Sequence, residues 1–404
     1  MKPEARAICN PAAAPAGEPY GSERSRILNQ PAFDAASTEI SSWPDYAPTP
    51  LVRLDGLARA LDLREVWYKD ERGRFGLKSF KALGGAYAVA NVLRQRVLHA
   101  TGIAAVTSRQ LVAREFASIV SSATVTCATD GNHGRSVAWG AHLFGCRCVI
   151  FVHEHVSQGR RDAIAHYGAE VHVVNGNYDA AVRQAAASAA ANGWTVVSDT
   201  SYPGYRAIPL DVMHGYGVMA AEITRQLPAG PPPTHVFVQA GVGALAAAIC
   251  AHFWLSWRER RPACFAVEPT RADCVYQSLA AGHPVVVGGS LDTVMAGLAC
   301  GEVSELAWEI LHGGATGAIA VGDAYALEAV RRLASPSSPD APIVAGETGG
   351  SGLAALLAAR DYPAISETLA LDRNARVLLL GSEGDTDPAI YRDVVGRTAE
   401  EVLA

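Results

Sequence analysis

The chain has 404 residues, 49% of them hydrophobic and 18% charged, which is enough to bury one large or two ordinary cores and too apolar for a disordered protein. Its net charge is −6 and its basic residues are scattered rather than striped, so the electrostatic footprint that nucleic acid or an anionic membrane needs is missing. A small molecule is the expected partner, with no nucleic acid and no membrane.

In chain order, "AICNPAAAPAG" (7–17) is apolar but broken by two prolines, and no continuous run of signal-peptide or membrane-spanning length appears, so a cytoplasmic location is expected. Short apolar runs, most of them rich in valine, follow at 66–70, 124–130, 148–153, 170–174, 195–199, 235–241, 264–269 and 376–384. Such runs suit parallel strands covered on both faces. Between them lie alanine-rich stretches of helical length. "YDAAVRQAAASAAANG" (178–193) opens near Asp179 and closes on Gly193. This alternation predicts an α/β architecture with mostly parallel sheets. Loop-like breaks fall at 227–234 and 334–342, and the first is expected to mark the passage between domains. "RERR" (258–261) reads as a solvated helix end. Eight cysteines without a CxxC motif read as structural thiols, with the meeting of Cys274 and Cys300 left open. His153 and His155 alternate like metal ligands but have no third ligand near in sequence, and no metal site is expected.

Four stretches have the composition of chemistry, each beside a predicted strand end, where open parallel sheets place their ligands. "GLKSFKALGG" (76–85) sets Lys78 and Lys81 at the start of a helix. "ATDGNHG" (128–134) is a glycine-rich turn that either presents backbone amides to an anion or simply joins strand to helix. "QAGVGALAA" (239–247) has the same grammar. It lacks the third glycine of a dinucleotide fingerprint and the GK[ST] of a P-loop, so a lone phosphate fits it better. "LLLGSEGDTDP" (378–388) empties a buried strand into Ser382, Glu383, Asp385 and Asp387, which either order a turn or form a solvated acidic loop.

In this order the four stretches resemble the tryptophan-synthase-like family of pyridoxal-phosphate enzymes, also called fold type II. "APTPLVRL" (47–54), "YKDERGRFGLKSFKALGG" (68–85), "TDGNHGRSVAWGA" (129–141), "SDTSYPGY" (198–205), "MAGLACGE" (295–302) and "SEGDTDP" (382–388) narrow it to the diaminopropionate ammonia-lyases. The resemblance implies a two-domain α/β fold: a large cofactor-binding domain of residues 1–89 and 211–404, a small domain of 90–210, and pyridoxal 5'-phosphate in the cleft between them. It also implies a homodimer that splits 2,3-diaminopropionate into pyruvate and two ammonia.

The family's Schiff-base position falls on Lys81, which leads into an apolar helix whose burial is expected to desolvate the amine; Lys78 reads as a solvated charge at the pocket mouth. The resemblance gives Gly241, Val242, Gly243, Ala244 and Leu245 to the phosphate, Asn132 to the ring hydroxyl, Phe80 to packing nearby, and Thr129, Asp130 and Gly131 to the substrate carboxylate region. Ser382, offset by one residue from Gly381, is the candidate for the ring nitrogen. Asp130 stands where related hydroxyamino-acid dehydratases carry serine. It reads either as a helix cap or, as the family implies, as the base for a D-configured substrate opposite Lys81. Asp199 either recognises and protonates the second amino group or is a structural acceptor at a strand end. His133 reads as a packing residue of its loop. Glu347 in "GETGGSG" (346–352) either faces the ring or caps. The rival activity is a dehydratase or β-replacement enzyme acting on serine, threonine or another hydroxyamino acid, and the farther rival is a non-catalytic binding module.

Overall fold

The computed structural model describes residues 2–404, which form two compact units. One comprises the chain up to Gln30 with Pro48–Gly73 and Met219–Ala404, the other Pro31–Ala47 with Arg74–Val218. Among the described residues the strands are β1 (Ala5–Cys9), β2 (Leu51–Arg53), β3 (Glu65–Asp70), β4 (Thr124–Ala128), β5 (Arg147–His153), β6 (Glu170–Val174), β7 (Thr195–Val196), β8 (His235–Gln239), β9 (Ala263–Pro269), β10 (Gly317–Val321) and β11 (Arg376–Gly381).

The first unit holds a sheet in the order β1-β10-β9-β8-β11-β3-β2. Its five inner strands are parallel, and the two edge strands, β1 and β2, pair antiparallel. Every residue of β8 and β10 is buried, as the unbroken apolar runs of a doubly covered sheet require. Helix Ser351–Asp361 lies across β8, β9, β10 and β11, and its residues Ser351 to Ala359 are all buried. Each large aliphatic or aromatic side chain sealed in this way contributes roughly 1.5–3 kcal/mol.

The second unit holds an all-parallel sheet in the order β6-β5-β4-β7. Helix Tyr178–Asn192 begins where the Asn177 side chain accepts from the Ala180 amide and ends on Gly193 in the left-handed conformation. A cap of this kind is worth about 1 kcal/mol. The buried residues of this helix, Ala181, Ala185 and Ala189, recur every four positions, and the first two pack on Val149 and Phe151 of β5. Helix Ala82–Thr101 packs along helix Asn132–Phe144. A β-carbon on Gly140 would stand 2.8 Å from Ala86 Cα, so only glycine permits this approach.

The units divide the chain differently from the expected boundaries. Residues 31–47, 74–89 and 211–218 join the second unit, because helix 82–101 packs as one body on helix 132–144 and the Trp43 indole donates to Ser108 Oγ at 2.9 Å. The chain changes unit inside helix Ala207–Gln226, not at the loop 227–234, since the apolar helical pattern runs on through that point. Arg261 is also not a solvated end: its guanidinium lies 3.5 Å from the centre of the Trp254 ring and donates to the Ala14 and Pro15 carbonyls. The eight cysteines are thiols. Among the described residues no helix is long and apolar enough to cross a membrane.

Candidate active site

The chemistry-bearing loops leave the C-terminal ends of parallel strands in each sheet, where backbone amides and side chains are freed from the ladder. In the second unit β4 runs into Thr129 and Asp130 before helix 132–144. Thr129 is buried and turned inward: its Oγ1 accepts from the Gly131 and Gly134 amides, both at 3.0 Å. Thr129 Oγ1 and the Gly131 amide are thus engaged with each other within the loop. Asp130 is half-buried. Its Oδ1 lies 2.7 Å from His153 Nε2, and its backbone carbonyl accepts from Arg160 Nη1 at 3.3 Å. Asn132 opens the helix and is half-buried.

His133 is buried in the same loop. Its Nε2 lies 2.8 Å from the Val197 carbonyl, an acceptor, so the ring proton sits on Nε2. Nδ1 has no hydrogen-bond partner among the described residues and lies 3.8 Å from Asp199 Oδ2. Burial pushes this imidazole down from its usual range, against the raising effect of the Asp199 carboxylate, and keeps it neutral at pH 7.

Lys81 stands immediately before helix 82–101, whose residues Ala82 to Ala90 are all buried. Its Nζ meets Asp199 Oδ2 at 2.6 Å, with the two side chains 20% and 15% exposed. The aromatic rings of Phe80 and Tyr216 flank the ammonium, with centres 5.4 and 5.8 Å away. The expected burial is present, but a carboxylate at this distance favours the charged amine, so desolvation alone does not set its state. Burial by itself would raise the Asp199 pKa. The Lys81 charge and its hydrogen bond outweigh it and hold this carboxyl well below the usual range. Lys78 is half-buried, with its backbone in the left-handed region at φ 55.

In the first unit β8 ends at Gln239 and the chain passes through Gly241 and Val242 to Gly243, whose φ of 88 belongs to the left-handed region that suits glycine. Gly243 opens helix Ala244–Trp257, and no side chain caps this helix. Its first amides and the positive end of its dipole are donors that can receive an anion such as a phosphate. The neighbouring Thr348 and Ser351 hydroxyls are buried without partners among the described residues, which adds polar capacity for a bound group. Ser382, just past β11, is buried beside them. Glu383, Asp385 and Asp387 are buried as well. Glu383 accepts from the Thr348 amide at 3.2 Å and Asp387 caps helix Pro388–Val395, so these acids order the turn rather than solvate it. Glu347 sits half-buried in the segment that Glu383 holds.

His153 and Arg160 at Asp130 were not read from the sequence as site residues. The available signal was strand register: Ala128 pairs with Phe151, so two residues on, Asp130 faces His153.

Three comparisons bear on this arrangement. Residues 43–379 match the family model described as pyridoxal-phosphate dependent enzyme. The diaminopropionate ammonia-lyase of Escherichia coli K12 is 40% identical over 380 residues, 93% of this chain and 94% of the relative. The crystal structure of holo diaminopropionate ammonia lyase from Escherichia coli superposes with a TM-score of 0.88 at 38% identity, covering 98% of this chain and 97% of that one. The same enzyme in complex with an aminoacrylate-PLP azomethine reaction intermediate matches with a TM-score of 0.86 at 37% identity, again over 98% and 97%. Threonine dehydratase from Escherichia coli K12 is 28% identical over 67% of the chain and 43% of that protein. The chain belongs to the pyridoxal-phosphate-dependent enzymes and, within them, to the diaminopropionate ammonia-lyases.

Proposed function

We propose that the enzyme performs α,β-elimination on both D- and L-2,3-diaminopropionate, yielding pyruvate and two ammonia, with residue roles as follows. The observation that carries the reading is the 2.6 Å contact between Lys81 Nζ and Asp199 Oδ2 in the unit that also presents Asp130. When bound, pyridoxal phosphate supplies an electron-withdrawing ring that stabilises negative charge at the substrate Cα. Lys81 holds the cofactor covalently and, once displaced by substrate, accepts the Cα proton of the L-isomer on Nζ. Asp130 accepts the Cα proton of the D-isomer on its carboxylate from the other face. Asp199, held as a carboxylate, receives the β-ammonium, the group that distinguishes this substrate from serine; already protonated, that group leaves as neutral ammonia with the electron pair of the breaking carbon–nitrogen bond.

With Thr129 Oγ1 drawing the Gly131 amide into the loop, the substrate carboxylate is left to the amides that open helix 132–144, with Thr129, Asp130 and Gly131 shaping its seat. The amides of Gly241, Val242, Gly243, Ala244 and Leu245 hold the phosphate, Asn132 meets the ring hydroxyl, Ser382 meets the ring nitrogen, and Phe80 packs beside the amine. The phosphate loop belongs to the first unit and Lys81 to the second.

A homodimer in the cytoplasm completes the proposal. Light scattering should give twice the 42.4 kDa of the chain. The decisive assay measures pyruvate and ammonia from both isomers of diaminopropionate beside serine and threonine. Two ammonia per pyruvate from either isomer is expected. Faster turnover of serine or threonine would replace the reading with a hydroxyamino-acid dehydratase.

A further inference from the structure

His153 is the last residue of β5, one strand over from the loop that carries Asp130. Because the two strands are parallel and Ala128 pairs with Phe151, the side chains of Asp130 and His153 emerge together, and Asp130 Oδ1 meets His153 Nε2 at 2.7 Å. The rest of the ring is fixed too. The backbone amide of His155, which can only donate, points at His153 Nδ1 from 3.3 Å. Nδ1 is therefore the acceptor, and in the neutral ring the proton sits on Nε2 and is donated to the carboxylate. A cationic side chain also steadies the same residue: Arg160, on helix Gln158–Ala165, donates to the Asp130 carbonyl at 3.3 Å.

From this geometry we propose that His153 is a positioning residue for the D-isomer reaction. It binds one carboxylate oxygen of Asp130, keeps that side chain aimed, and leaves the second oxygen to take the Cα proton. The inference rests on the assignment of Asp130 as the D-face base and goes beyond it, since it makes one isomer's turnover depend on an imidazole that the other isomer does not use. A tenfold effect is the expected scale, because a hydrogen bond to a charged group is worth about that factor or somewhat more. The other charged and titratable groups around the pair are few. His155 has its ring 5.8 Å away, Arg160 reaches the Asp130 carbonyl, Arg161 donates to the Glu154 carbonyl, and the Glu154 carboxylate accepts from the Gly176 amide.

The test uses the cofactor-loaded enzyme with His153→Leu, His153→Gln and Asp130→Asn, and reads kcat and KM for each isomer across pH. His153→Leu should lower kcat for the D-isomer about tenfold and leave the L-isomer within about twofold. His153→Gln, whose amide can donate to the same oxygen, should restore most of the D-isomer rate. Equal losses on both isomers in His153→Leu, or a D-isomer rate that His153→Gln does not restore, overturn the inference while leaving the Asp130 assignment standing, provided Asp130→Asn remains selective for the D-isomer. Equal loss on both isomers in Asp130→Asn overturns that assignment and the inference with it. Unchanged cofactor absorbance and melting temperature in His153→Leu exclude a folding defect as the cause.

Discussion

Replacing Asp199 with asparagine tests the part of the site that makes this a diamino acid enzyme. The substitution keeps the shape of the side chain and removes one charge from a contact of 2.6 Å in which both partners are at most 20% exposed. A charge-assisted hydrogen bond in such surroundings is worth about 1.5–3 kcal/mol, or roughly a 10- to 100-fold effect. In the proposed mechanism that loss falls on the substrate whose β-nitrogen is cationic. The kcat/KM for diaminopropionate should therefore drop by about that factor, and any slow turnover of serine, which brings no second cation, should change by less than about threefold. The assay is pyruvate release from both compounds by the same preparation, with cofactor occupancy read from visible absorption so that weakened binding is not mistaken for altered selectivity. An unchanged ratio between the two substrates would reduce Asp199 to a structural partner of Lys81 and remove the reason for preferring a diamino substrate on residue grounds.

The same carboxylate makes a pH prediction. Its folded-state pKa lies below the usual carboxylate value despite burial, so it adds stability that is present above about pH 4 and lost as the pH falls below that. In enzyme stripped of cofactor, the drop in melting temperature on acidification should be shallower for Asp199→Asn than for the unaltered protein; parallel curves would refute this. Lys81→Ala should abolish the visible absorption of the lysine-bound cofactor while Lys78→Ala keeps it, and the reverse would transfer the role. Gly243→Ala forces a side chain into φ 88 and sets its β-carbon 3.0 Å from Leu311 Cδ1, so cofactor affinity measured by titration should fall at least tenfold, corresponding to about 1–2 kcal/mol of strain. Lys69→Met strands Glu222, its fully buried partner at 2.6 Å, and should cost about 3–5 kcal/mol in chemical denaturation with no change in the ratio of substrate rates.

The parallel core was legible because its strands are buried on both faces and read as unbroken apolar runs; β3, β5, β6, β9 and the helix from Tyr178 fall where the pattern puts them. β1, β2 and β10 were not read. The first two are antiparallel edges, half-exposed, and β2 has only three residues, while "GAIAV" of β10 is too short and too rich in glycine and alanine to stand apart from the helices around it. The runs ending at 130, 199, 241 and 384 overshoot strands that stop at 128, 196, 239 and 381. Those overshoots hold the half-buried Asp130, Asp199 and Gly241 and the buried Ser382 and Glu383: the runs read on past the strand ends, but the ladder pairing has already stopped. The pairing of Asp130 with His153 was hidden for another reason. It depends on which strands are neighbours, and composition carries no register.

The two sheets obey one rule with different results. In the second unit β5, β4 and β7 are adjacent and parallel, so residues far apart in sequence, His153, Asp130 and Asp199, leave the sheet from the same edge. In the first unit β8 and β11 are likewise adjacent and parallel, which brings the loop after Gln239 and the turn at Ser382 to one edge. In the proposed reading the acid–base groups are thus gathered on one sheet and the phosphate-binding amides on the other. It follows that substitutions at 130, 153 and 199 should change which substrate or isomer is turned over while sparing cofactor affinity, and that substitutions at 241–245 should weaken cofactor binding while leaving the ratio of D- to L-isomer rates in the loaded enzyme unchanged. A variant at 243 that altered the isomer ratio of fully loaded enzyme would break this separation, because it would mean that the phosphate loop also sets the position of the reacting carbon.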